Sequence, residues 1–330
     1  MSKVHSIQSP LLDIQNLTKY FPVKVPFGSI RGQNRQVKAV NDVSFQLYEG
    51  ETLGIVGESG CGKSTTGRTI LRLLEPTSGK VIYKNRNIFE AGSKEIRTIR
   101  QDLQMVFQDP YSSLNPRKRI GHLLEEPLII HGLGDSKERT ESVLDILEKV
   151  GLKAEHYYRY PHEFSGGQRQ RIGLARALIV NPKVVICDEP VSALDVSIQS
   201  QIINLLRNFQ ESLKLTYLFI SHDISVVRYL SNRIGVMYLG NLVEEAPTDT
   251  LFKSPLHPYT KALLSSVPLP NPKIKKERII LSGELPSPIN PPTGCVFHTR
   301  CPYVMDICKK QVPIRRNIED GHFVSCHLQN

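Results

Sequence analysis

The segment Gly57-Glu58-Ser59-Gly60-Cys61-Gly62-Lys63-Ser64 tolerates few surroundings. Gly57, Gly60 and Gly62 let consecutive backbone N–H groups turn inward around an anion with no side chain in the way. A helix must open directly behind such a loop so that its positive end points at the same place. Ahead of it, Thr52-Leu53-Gly54-Ile55-Val56 is a short apolar run that reads as a central parallel strand. Behind it, Lys63 to about Leu74 reads as a helix that stops near Pro76. Strand, glycine loop and helix in this order form a phosphate-binding loop and commit the chain to an α/β fold. Lys63 then reaches the β- and γ-phosphates of a nucleotide. The backbone of Glu58, Ser59 and Cys61 completes the cradle, and the Ser64 hydroxyl, with Thr65 beside it, faces Mg²⁺.

A chain of 330 residues has room for one large domain and an appendage. Its 40% apolar and 22% charged content is that of an ordinary globular protein. No stretch approaches the apolar length that spans a bilayer, and Met1 to Ser6 lacks the apolar core of a signal peptide. The expected location is therefore the cytosol or the cytosolic face of a membrane. The net charge of +10 is scattered. Its densest cluster, Lys273, Lys275, Lys276 and Arg278, lies in a Pro-rich stretch and reads as a solvated linker rather than a nucleic-acid footprint. A surface docked on membrane proteins beside anionic headgroups accounts better for the charge.

Elsewhere the pattern predicts a strand over 11–21, a long loop or insertion from Pro22 to Lys38, and a hairpin partner over Val40–Leu47. Val81–Tyr83 predicts a further strand. From about Ser112 to Arg171 the period turns helical, with Val143, Ile146, Leu147 and Val150 on one face. This reads as a helical subdomain inserted into the α/β core. The core resumes with the strand Val184–Cys187, a helix from Ser197 to about Leu213, the strand Thr216–Ile220, and a last hairpin of Ile234–Tyr238 and Leu242–Glu244. From Pro255 onward prolines mark a mostly extended tail.

Asp188 ends an apolar strand, where its carboxylate can reach Mg²⁺, and Glu189 follows at a turn where it can face an attacking water as general base. His222 ends the next core strand, within reach of a γ-phosphate. Ser165-Gly166-Gly167-Gln168 opens a strongly helical stretch and leaves bare N–H groups for a second anion that the chain's own phosphate loop does not need.

These words in this order resemble the ABC ATPases over nearly the whole chain. The resemblance implies a RecA-like core, an antiparallel β subdomain and an inserted helical subdomain within 11–254, the helical part over about 112–171. It implies that two such domains close face to face on MgATP, with Ser165, Gly166, Gly167 and Gln168 facing the γ-phosphate bound by the partner subunit. It makes Ser192-Ala193-Leu194-Asp195 the loop that crosses the same interface and His222 the switch that orients phosphate and water. Gln108, in Phe107-Gln108-Asp109-Pro110, becomes the glutamine that reports Mg²⁺ and γ-phosphate to the helical subdomain. Phe21 becomes the aromatic that stacks on adenine, with Tyr20 as the alternative and core packing open for either.

Of six cysteines, Cys61 and Cys187 read as small apolar fillers. Cys295, Cys301, Cys308 and Cys326 are spaced C-x5-C-x6-C-x17-C. A reducing compartment argues against disulfides, and the tight C-x2-C knuckle of zinc sites is missing. Four thiolates at irregular spacing can hold a cubane cluster; zinc and unligated thiols stay open. His298, His322 and His327 read as surface residues. His257-Pro258-Tyr259-Thr260 and Cys295-Val296-Phe297-His298-Thr299-Arg300-Cys301-Pro302 resemble the C-terminal extension, here 255–330, of oligopeptide and dipeptide importer ATPases, where the cysteines bind a [4Fe–4S] cluster. There the cluster would pin a tail that lacks a core of its own. Phe107 to Arg117 and the insertion after Phe21 point the same way, the latter to the second of two unlike ATPase subunits. The implied assembly is this chain with a paralogous ATPase as a heterodimer, two membrane permeases and an external solute-binding protein, on the cytoplasmic face of the membrane and without nucleic acid. A groove beside Gln108 and Tyr111 would receive a permease helix. Nickel chelates or another peptide-like solute are the alternative cargo, and a nucleic-acid-associated ABC ATPase is the alternative class.

Overall fold

The structure is a computed structural model that describes residues 9–23, 35–109, 114–192, 194–267, 278–319 and 321–329. Most of the insertion after Phe21, Tyr111, Ala193, the cluster Lys273, Lys275 and Lys276, and the chain start lie outside the described residues. In chain order, β1 (Leu12–Pro22), β2 (Gln36–Leu47) and β3 (Thr52–Val56) lead to α1 (Lys63–Ile70), β4 (Ser78–Tyr83) and β5 (Arg86–Asn87). Next come α2 (Ser93–Asp102), β6 (Leu103–Val106), α3 (Ile120–His131), α4 (Ser136–Lys149) and α5 (Gly166–Leu178). β7 (Val184–Asp188), α6 (Val196–Leu213), β8 (Thr216–Ile220), α7 (Ile224–Leu230), β9 (Arg233–Tyr238) and β10 (Asn241–Pro247) follow. The chain ends through α8 (Thr248–Lys253), α9 (Pro258–Ser265), α10 (Asp306–Lys310), β11 (Arg316–Glu319) and β12 (His322–Val324). Among the described residues no helix is long and apolar enough to cross a membrane.

The chain gathers into two compact units. The first holds Leu47–Thr52 and Glu90–Ile220, with Ser9 and Pro10. Here β6, β7 and β8 run parallel, Leu103 opposite Val184 and Val184 opposite Thr216. Every residue of β7 and β8 is buried, as expected of apolar runs covered on both faces. On α4 the predicted face is buried at Val143, Ile146 and Leu147, with Val150 just beyond. The start of α4 is set by a capping box. Asp135 accepts the N–H groups of Lys137 and Glu138, and the Glu138 carboxylate accepts that of Asp135 at 2.8 Å. Helix α2 and strand β6 carry no clear periodicity and are additions to the sequence reading.

The second unit holds Leu11–Gln46, Leu53–Phe89 and Ser221–Asn330. Its antiparallel sheet has the order β2-β1-β4-β5, so β2 is the neighbour of β1 as expected. Beside it β3 pairs in parallel with β9, Gly54 opposite Ile234, and β10 returns antiparallel to β9. Helix α1 stops at Ile70, earlier than expected. Arg72 turns into the left-handed region at φ 50°, its N–H bonds Thr69 O, and the Leu73 N–H reaches back to Arg68 O at 2.9 Å. That is a Schellman close made without glycine, so the sequence carries no mark of it.

The tail is less extended than its prolines suggest. β12 pairs with β10, β11 with β12, and α9 is a two-turn helix. Nor does the tail lack a core. Tyr259 and Phe297 pack with Tyr238 in one aromatic cluster, ring centroids 4.8 to 5.5 Å apart, and all three are buried. Two adjacent buried acids on β10 fasten the tail. Glu244 accepts the N–H groups of Leu256 and His257 and meets His322 Nε2 at 2.8 Å, while Glu245 pairs with Arg233 and Arg315. His322 and His327 are therefore buried residues, at 2% and 9% exposure, not surface ones.

His257 caps α9, its Nδ1 accepting the Tyr259 N–H at 3.1 Å. Burial pushes its pKa down to about 4 against the opposing pull of Glu244. Folded His257 is neutral where the unfolded residue is protonated, so its contribution is complete above about pH 6.5 and is lost as pH falls towards 4, a loss of about 3 kcal/mol. Urea unfolding between pH 7 and pH 4 should show this fall. His257→Asn, which retains a capping side chain, should flatten the pH dependence relative to the native chain.

Candidate active site

In the second unit, the loop between β3 and α1 carries the predicted phosphate ligands. Gly62 has φ 103°, and a Cβ there would stand 2.0 Å from the Ala39 carbonyl oxygen, so only glycine fits. Lys63 is 4% exposed, and its ammonium donates to the carbonyls of Gly57 at 2.8 Å and Glu58 at 3.0 Å. The cation is thereby held over the loop. Ser59 and Gly60 are exposed at its tip, and Ser64 and Thr65 are half-buried on the first turn of α1. Cys61 lies buried beneath the ammonium, Sγ to Nζ 3.8 Å, and burial raises its pKa against the pull of Lys63. It is a neutral filler, as is Cys187 inside β7, whose thiol burial pushes far up.

Glu58 has partners that the spacing does not announce. Its backbone N–H donates to the Tyr259 hydroxyl at 3.0 Å, and its carboxylate pairs with Arg300 at 3.0 Å. Phe21 is half-buried with the Lys19 ammonium 4.8 Å from its ring centre. The Tyr20 hydroxyl instead donates to Asn41 Oδ1, which assigns Tyr20 to the sheet and leaves Phe21 as the stacking candidate. His222 is exposed between β8 and α7, and Asp223 caps α7 by accepting the Ser225 N–H at 2.8 Å.

In the first unit, Asp188 is fully buried at the end of β7. Glu189 follows in the left-handed region at φ 47°. Its N–H is tied to Ile220 O at 2.9 Å and its carbonyl accepts the Ser192 hydroxyl at 3.1 Å. A non-glycine residue there costs on the order of 1 kcal/mol or more, and the bonds on both sides hold it in place. Its carboxylate accepts a hydrogen bond from Gln108 Nε2 at 2.8 Å. The structure therefore brings together the predicted base and the predicted reporter glutamine. Asp188 and Gln108 here, like Ser64 in the second unit, offer oxygen, the donor type that Mg²⁺ takes.

Ser165 caps α5. Its hydroxyl oxygen accepts the Gln168 N–H at 3.4 Å and the Gln168 side chain accepts the Ser165 N–H at 3.0 Å. One of the N–H groups expected to be bare is thus closed by the chain itself, while the serine hydroxyl proton remains exposed for a ligand. Gly167 has a packing reason of its own, since a Cβ there would stand 2.6 Å from Ile198 Cγ2. Asp195 is exposed at the start of α6.

Cys295, Cys308 and Cys326 are buried and Cys301 half-buried, all as free thiols. Burial raises Cys295 to about 11, and the neighbouring Cys308, Cys326 and Cys301 add to the rise. Burial likewise raises Cys301 and Cys326, with further contributions from other members of the set. The backbone N–H groups of Phe297, Tyr303 and Leu328 bond the sulfurs of Cys295, Cys301 and Cys326. The four thiols lie near enough to influence one another's ionisation. Among the described residues no group of three or more His, Cys, Asp or Glu side chains is placed to hold a metal ion, so the predicted cysteine site is not assembled here.

The model of the ABC transporter family matches residues 40–192, and that of the oligopeptide/dipeptide transporter C-terminal region matches 243–308. The chain is 55% identical to the oligopeptide transport ATP-binding protein AppF of Bacillus subtilis, over 97% of this chain and 98% of that protein. It is 52% identical to the dipeptide transport ATP-binding protein DppF of Haemophilus influenzae, over 96% of each. The dimeric ATP-binding cassette MJ0796 bound to ADP and Pi superposes with a TM-score of 0.63 at 31% identity, covering 72% of this chain and 98% of that one.

Gly167→Ala should destabilise the chain by about 1–3 kcal/mol through overpacking, read as a lower melting temperature. Adding Ile198→Ala, which removes the clashing methyl, should recover part of that loss.

Proposed function

Because this chain belongs to the ABC transporter family of ATP-binding subunits, we propose that it powers the import of di- and oligopeptides through partner membrane permeases. ATP-driven closure of two ATPase subunits does the work. In hydrolysis, water oxygen bonds the γ-phosphorus as the bond to the β,γ-bridging oxygen breaks. ADP leaves, and the Glu189 carboxylate accepts the water proton. Lys63 and the loop N–H groups balance the charge that builds on the phosphates, and His222 holds the γ-phosphate and the water in line. Ser64, Asp188 and Gln108 are the residues that would each offer oxygen to Mg²⁺, which would supply further charge neutralisation. Phe21 stacks on adenine. Ser165 to Gln168 and Asp195 serve the nucleotide of the partner subunit. The observation that carries the catalytic part is the Gln108–Glu189 hydrogen bond at 2.8 Å just past buried Asp188. Gln108 holds the base, so a movement of Gln108 releases it.

The ATPase core spans 11–254 and the extension 255–330, and the partner ATPase is a paralogue in a heterodimer. Two membrane permeases and an external solute-binding protein complete the complex, with this chain on the cytoplasmic face of the membrane. A groove of about 680 Å³ in the first unit, lined by Arg117, Lys118, Glu125, Glu126, Ile129 and Ile130 among others and not by Gln108, is a docking place for a permease segment other than the one expected beside Gln108 and Tyr111. Its exposed isoleucines and a rim of both basic and acidic side chains suit a short amphipathic helix. Cys295, Cys301, Cys308 and Cys326 would hold a [4Fe–4S] cluster, whose iron–thiolate bonds would cross-link the extension.

Glu189→Gln should lower ATP hydrolysis by at least about 100-fold while trapping a nucleotide-bound dimer on size exclusion with the paired subunit. Brisk turnover by this variant would remove Glu189 from the role of base. Anaerobically purified protein should absorb broadly near about 400 nm with about four irons per chain. Cys308→Ser should abolish both signals, and zinc in place of iron would replace this part of the reading.

A further inference from the structure

Two residues of the C-terminal extension reach the phosphate loop. The Tyr259 hydroxyl takes the Glu58 N–H at 3.0 Å, and Arg300 Nη1 meets both carboxylate oxygens of Glu58 at 3.2 and 3.0 Å. Neither contact is a loose surface one. Tyr259 is fully buried in the aromatic cluster. The Arg300 side chain is 11% exposed, its Nε is buried without a hydrogen bond, and its guanidinium lies 6.0 Å from the centre of the Tyr238 ring. A guanidinium stripped of that much water stays where a carboxylate compensates it.

The position of that carboxylate is what demands explanation. Glu58 stands inside a loop whose glycines, amides and lysine gather around polyphosphate, and a negative charge there repels the ligand. The same residue supplies one of the two carbonyls that hold the Lys63 ammonium. Whatever fixes the Glu58 backbone therefore also fixes the lysine. We propose that Arg300 and Tyr259 are positioning residues of the nucleotide site. Arg300 cancels the Glu58 charge, and Tyr259 sets the Glu58 peptide under Lys63, so MgATP affinity depends on the docked C-terminal extension. Arg300 directly precedes Cys301 and lies between Cys295 and Cys308 in the chain.

The inference rests on the reading of 57–64 as the nucleotide-holding loop, and the test separates the two. Equilibrium binding of a fluorescent ATP analogue with Mg²⁺ is measured on the full chain, with melting curves to establish folding. Arg300→Ala should weaken binding by about tenfold, and Arg300→Lys, which keeps the charge, should recover most of it. Tyr259→Phe, which keeps the ring packing, should weaken binding by about threefold. In a Glu58→Gln background the effect of Arg300→Ala should shrink to within about twofold, because no charge is left to cancel. An equal loss in both backgrounds would overturn charge compensation. Native affinity in both Arg300→Ala and Tyr259→Phe would overturn the inference as a whole. If Arg300→Ala does not fold, Arg300→Lys and Tyr259→Phe decide it: native affinity in Tyr259→Phe together with a tenfold loss in Arg300→Lys would refute it. Lys63→Ala is the control. Undiminished binding by that variant would refute the loop assignment itself, whatever Arg300 does.

Discussion

A lysine ammonium at 4% exposure must be surrounded by oxygen, and in the second unit the loop 57–64 is built around that need. Its acceptors are peptide carbonyls of the same loop, at Gly57 and Glu58, so the charge is only as well placed as the backbone beneath it. Tertiary contacts hold that backbone from several sides. Gly57 and Gly62 lie so close to the carbonyls of Met237 and Ala39 that no side chain would fit. Tyr259 takes the next amide. β3 and β9 run in register below, and β9 ends on Tyr238, a member of the aromatic cluster that seats Tyr259. The phosphate loop is thus the surface expression of a packed interior rather than a flexible glycine strap.

The first unit solves a different problem. It must present a carboxylate to water at the end of a strand whose every residue is buried. The solution is a sharp turn. Asp188 completes the strand, and Glu189 leaves it in a left-handed conformation tied at its N–H and its carbonyl. Gln108 then takes the side chain, so the acid most exposed to chemistry is the one whose geometry is set by three separate bonds.

Much of this was legible because burial writes itself into sequence as apolar runs. β3 and β8 fall where the apolar runs Thr52–Val56 and Thr216–Ile220 predict them, and β7 extends one residue further, to Asp188. The α4 face follows from residues three and four apart. Glycine words marked the phosphate loop and the start of α5. Other features leave no local trace. α2 is mostly polar, and β6 has only four residues. The end of α1 is closed by an arginine where a glycine would have signalled it. Gly167 was read as opening space for an anion, whereas its contact with Ile198 shows that packing also requires it. The buried state of His322 depends on Glu244, 78 residues away in the chain, and no periodicity encodes such a pairing. The tail was read as extended from its prolines, while its two aromatic anchors, Tyr259 and Phe297, are isolated residues without a pattern.

The pairing of Glu58 with Arg300 spans 242 residues. During synthesis at about 5–20 residues per second, the loop therefore leaves the ribosome roughly ten to fifty seconds before its counter-ion does. β12 comes later still, and only its arrival covers the free edge of β10. A chain that stops short of Arg300 carries every glycine of the phosphate loop but not the guanidinium that pairs with Glu58. The charge balance of the loop is therefore completed only near the end of translation, and a truncated product lacks the counter-ion of Glu58.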